Sequence, residues 1–104
     1  MTHRPRPDGW HREASCRLVD DVGAAIPAAQ DLAGERDVAV AASDVGGQAL
    51  AVGRVDEVAM GIVPVVFGSG KRDFGTVDAQ HLLEDPDVVI KGRRVLHLRY
   101  QIRR

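Results

Sequence analysis

Apolar residues recur first at helical spacing. Val22, Ala25, Ile26, Ala29 and Leu32 fall on one face of a 3.6-residue repeat. Asp20 or Asp21 stands where an N-cap belongs and Gly34 where a helix closes, which predicts a helix through about residue 33. Pro27 lies inside that stretch and has no N–H to donate, so the helix should kink or start late. The period then changes. Residues 37–42 form a compact apolar run and predict a strand. Ser43 and Asp44 turn the chain, and Asp44 can cap a short helix over about residues 45–52 that Gly53 stops. Gly46 and Gly47 stand in its first turn although glycine is a poor helix former, so a packing or a ligand reason is plausible there.

A longer apolar run over residues 55–67 predicts a second strand. Pro64 inside it implies an edge, a bulge or a break in the ladder. Gly68, Ser69, Gly70 and Gly75 bracket a polar loop, and residues 76–86 read as a connector with a helical turn near 79–83. Residues 88–90 and 95–102 flank Lys91-Gly92-Arg93 and predict a hairpin. Leu96, Leu98, Tyr100 and Ile102 alternate there with His97, Arg99, Gln101 and Arg103, which gives one buried and one wet face. At the other end, residues 3–15 show no hydrophobic period and read as loop, with a short strand over 16–19.

Composition narrows the class. A chain of 104 residues makes one domain, 1–104, at the small end for a self-sufficient core. Its 44% hydrophobic and 28% charged residues are ordinary for a soluble protein. With 14 basic and 15 acidic residues, no bulk field recruits nucleic acid or a membrane. The lone Cys16 has no internal disulfide partner, and no apolar run reaches the roughly 18 residues of a membrane span. A cytoplasmic location is expected.

The candidate chemistry centres on residues 43–47. Small residues after a buried strand and at a helix N-terminus present unpaired N–H groups to an anion, which suits the pyrophosphate of a nucleotide. The same pattern also occurs with no ligand. Gly68-Ser69-Gly70-Lys71-Arg72 invites comparison with a phosphate-cradling Walker loop. That comparison fails because Arg72 follows the lysine and the earlier glycine is lacking. His3, His11, His81 and His97 show no metal-ligand spacing.

In chain order come Gly47-Gln48-Ala49-Leu50, Val55-Asp56-Glu57-Val58, the loop from Pro64 through Lys71-Arg72 to Phe74, and Leu96-His97-Leu98-Arg99-Tyr100. Together they resemble the C-terminal reductase domain of the riboflavin-biosynthesis deaminase-reductase and its dihydrofolate reductase family relatives. The resemblance covers roughly residues 37–104. It implies an α/β fold: a dihydrofolate-reductase-like mixed sheet with flanking helices, closed by a C-terminal antiparallel hairpin. The family domain is nearly twice as long, so its N-terminal half is expected to be missing. The implied activity is NADPH-dependent reduction of a small-molecule substrate, such as the aminouracil intermediate of the riboflavin pathway, impaired in this short form. Carried over by position, Ala42, Ser43, Asp44, Val45, Gly46 and Gly47 would line the cofactor pyrophosphate, and Thr2 and Arg4 would face the adenosine 2′-phosphate. The family usually has consecutive glycines where this chain has Ala42-Ser43. The resemblance gives no catalytic residue, and a homodimer is the expected assembly. Two alternatives stand beside it: a non-enzymatic remnant that associates through its strand edges, and a small nucleotide-binding module.

Overall fold

The structure is a computed structural model that describes Gly9 and residues 18–41, 43–77 and 79–104. Two helices precede a three-stranded sheet: α1 Val22–Ala33, α2 Ser43–Ala51, β1 Glu57–Ile62, β2 Val88–Gly92 and β3 Val95–Gln101. This combination is consistent with an α/β class.

The first helix forms where its caps place it. The Asp21 carboxylate accepts from the Ala24 N–H at 3.1 Å, and at the other end the Gly34 N–H donates to the Gln30 carbonyl at φ 64°. Both satisfy groups that a helix end leaves orphaned. Pro27 stays inside the helix, neither delaying its start nor ending it, and cannot donate to the Gly23 carbonyl. Val22 and Ile26 are buried and Ala25 and Ala29 half-buried, but Leu32 is 61% exposed.

The strands are shorter than the apolar runs that predict them. Residues 37–41 form no strand: among the described residues no backbone hydrogen bond ties them to another segment. An apolar run needs a ladder partner to become a strand, and this one has none among the described residues. β1 ends at Ile62, two residues before Pro64, and Val65, Val66 and Phe67 beyond it are exposed. The proline therefore acts as a break. No helical turn forms at 79–83; Leu83 instead bridges to Ile102. The hairpin turns at Arg93-Arg94, slightly later than predicted, with Arg94 at φ 60° and Lys91-Gly92 in the strand.

The sheet is antiparallel throughout, in the order β1-β3-β2, and in this it departs from the mixed sheet expected from the resemblance. β3 lies at the centre. Its Leu96, Leu98 and Tyr100 pair with Ile62, Met60 and Val58, which builds one apolar face. The other face sets His97, Arg99 and Gln101 beside Val88 and Ile90. Arg99 makes a two-pronged ion pair to Asp87, and the Gln101 amide bridges Glu57 and Asp87 across all three strands.

The core is small. Among the described residues only Val22, Ile26, Ala49, Leu50 and Val58 are buried apolar side chains, with Val55 packed against them. The helices pack on one another, and neither lies along the sheet. Hence Ile62 and Val89 remain more than half exposed on the sheet's apolar face. The gap left between the layers defines the site described next.

Candidate functional site

Residues 43–47 come together as the first turn of α2, which starts two residues earlier than predicted. Ser43 adopts φ 73°, the left-handed region, and its N–H donates to the Asp73 carbonyl. Ser43 and Asp44 are exposed, Val45 is half-buried, and Gly46 and Gly47 are buried.

The two glycines have a packing reason. A Cβ at Gly47 would overlap the Phe74 carbonyl oxygen, and one at Gly46 would lie 3.3 Å from the Ala41 carbonyl oxygen and 3.8 Å from the Phe74 ring. From the other side, a Cβ at Gly75 would run into the Asp44 carboxylate. The 73–76 turn thus sits directly on the start of α2. Glycine allows this approach and outweighs its poor helix propensity of about 1 kcal/mol per residue.

A cleft of about 1110 Å³ opens beside this turn. Residues 37–40 form one wall and all of β1 the other, while Ile26, Gly46 and Phe74 contribute from the helical side. Its charged lining is Arg36, Asp37, Arg54, Asp56, Glu57 and Asp73. A second cavity of about 270 Å³ lies against the other flank of α2, lined in part by Asp44, Gly47, Gln48 and His81. The His81 Nε2 is buried without a hydrogen-bond partner among the described residues.

Of the predicted cofactor residues, Thr2, Arg4 and Ala42 lie outside the described residues. Ser43, Asp44, Val45, Gly46 and Gly47 are together, but only Gly46 lines the large cleft, whereas Asp44 and Gly47 line the small one. Arg36, Arg54, Phe74 and His81 are site-lining residues that sequence reasoning did not single out. Phe74 stood in the glycine-loop motif, and that was the one available signal for it. The arginines and the histidine carry no informative spacing.

Away from the cleft, two hydrogen bonds from Arg99 and one from Gln101 hold the Asp87 carboxyl below the usual carboxylate range. The same partnership raises Arg99. Both groups lie on the sheet face of Arg99 and Gln101 and are structural. Among the described residues no helix is long and apolar enough to cross a membrane.

Compared with protein-family models, curated proteins and solved structures, the chain matches none.

Proposed function

We propose that this chain binds the pyrophosphate of NADPH at the start of α2 and works as the cofactor side of a reductase. The reading is of the dihydrofolate-reductase and riboflavin-reductase type, with a small heterocyclic or ribityl substrate. One observation carries it: the first turn of α2 meets a cleft of about 1110 Å³, ample beside the roughly 300–1000 Å³ of ordinary ligand pockets. Helix N-termini attract phosphate through unpaired N–H groups and the helix dipole. Among the described residues the Ser43 N–H has a backbone partner, while no partner outside the helix is seen for Asp44, Val45 or Gly46. The ordered motifs from Gly47 to Tyr100 agree with this reading.

Gly46 and the amides before it would hold the pyrophosphate, and Gly47 would hold Phe74 in place behind them. NADPH supplies the hydride. The protein's task is to fix the cofactor against the substrate and to exclude water. The Asp73 carboxylate lines the same cleft as Gly46 and opposes a phosphate there, which gives a test. A like charge a few ångströms away costs about 1 kcal/mol in a solvent-exposed setting, about a fivefold change in affinity. Titration followed by nicotinamide fluorescence should show saturable binding of NADPH that Asp73→Asn tightens about fivefold. Absence of saturable binding, or an affinity indifferent to Asp73→Asn, would reject the site.

A second reading, a non-catalytic module that associates through its strand edges, rests on one observation. β2 is an outer strand, and among the described residues its far edge is unpaired. Such a module would not bind NADPH.

A further inference from the structure

The cleft is bounded by backbone on two sides, and its β1 wall carries an ordered row of hydrogen-bonding groups without partners among the described residues. The Ile102 N–H donates to the Asp56 carbonyl, which continues the Glu57↔Gln101 register. In an antiparallel ladder, bonded and non-bonded pairs alternate. Asp56, Val58, Met60 and Ile62 therefore face β3 with their N–H and C=O groups. Glu57, Ala59 and Gly61 present theirs to the opposite edge, which opens on the cleft. Across the cleft, residues 37–40 have no ladder partner among the described residues.

We infer that the cleft between residues 37–40 and β1 receives one extended strand from a separate polypeptide, which adds to the sheet at the β1 edge. The row of unpaired N–H and C=O groups along β1 matches an extended backbone. β1 is six residues long, so the incoming strand spans about 20 Å. Its alternate side chains extend the apolar face of Val58, Met60 and Ile62, where Ile62 is still 52% exposed. Its polar positions are cationic, because Asp37, Glu57 and Asp73 in the cleft outnumber Arg36 and Arg54, Asp56 being paired with Arg104.

A second copy of the chain does not suit this space. Its β1 edge arrives with β3 already bonded behind it and would displace residues 37–40. The inferred occupant is a lone strand. It lies along β1, while the proposed nucleotide position is at the start of α2, so the two readings are tested separately.

The probe is an acetylated, amidated peptide of alternating Val and Lys or Thr, about six residues long, titrated in the absence of nucleotide. Saturable binding is expected, with slowed amide exchange at Glu57, Ala59 and Gly61. Ala59→Pro removes an N–H that faces the cleft, not β3, and should weaken binding about tenfold, equivalent to about 1.4 kcal/mol. N-methylating alternate peptide amides blocks the same pairing on wild-type protein, so the test holds even if the proline variant does not fold. Lack of saturable binding would overturn the inference, as would binding that survives N-methylation in both registers. Concentration-dependent self-association abolished by Ala59→Pro would also overturn it, because the edge would then belong to a second copy.

Discussion

Replacing Gly47 with alanine opposes two effects of known sign in one methyl group. Helix propensity favours alanine over glycine by about 1 kcal/mol inside a helix. Against this, the new Cβ meets the Phe74 carbonyl oxygen, a backbone atom with little freedom to withdraw. Overpacking of this kind typically costs about 1–3 kcal/mol. The site is buried and the obstacle is main chain, so the cost lies toward the top of that range. Gly47→Ala should therefore destabilise the protein by about 1–2 kcal/mol. Gly46→Ala is the internal control: its Cβ lies 3.3 Å from the Ala41 carbonyl oxygen, a contact that a small shift relieves. Its cost and its propensity gain should cancel to within about 1 kcal/mol. Urea unfolding followed by far-ultraviolet circular dichroism reads both, with the slope checked for constancy. For a domain of this size the loss at Gly47 corresponds to a Tm drop of about 4–8 °C per kcal/mol. If Gly47→Ala is as stable as wild type, the turn does not sit on α2 as described. The packing account of the glycine pair then fails.

Two further outcomes follow from single contacts. Asp21→Ala removes the cap of α1 and should cost about 1 kcal/mol in urea unfolding, whereas Asp21→Asn should retain most of it. Asp87 has a folded pKa below its unfolded value, so its contribution is complete above about pH 4 and fades as pH falls through the lower folded value. The stability–pH curves of wild type and Asp87→Asn should differ at neutral pH and converge in acid; equal curves at pH 7 would show that the Arg99 pair contributes nothing.

Local signals were legible in the sequence where they decide local structure. Asp21 and Gly34 bounded α1, Pro64 ended β1, and the period-two alternation of residues 95–102 identified β3, although its expected buried face is only half-buried and Arg99 and Gln101 on the expected wet face are half-buried too. What was not legible depends on partners. Residues 37–42 have the composition of a strand, but composition does not say whether a neighbouring strand exists, and among the described residues 37–41 have none. The antiparallel order β1-β3-β2 likewise follows from which edges meet, not from any one strand's pattern. At the candidate site the sequence left the Gly46-Gly47 pair open between packing and ligand. Only the approach of Phe74, distant in sequence, supplied the packing reason.

The central claim is that α2 begins a pyrophosphate site, and the most direct measurement is amide-resolved. In nitrogen-15 correlation spectra recorded during NADPH titration, the Asp44, Val45 and Gly46 amides should shift most and saturate together, with the sheet amides of β2 and β3 unmoved. Spectra that do not change, or changes centred on His81 and Thr76 instead, would contradict it.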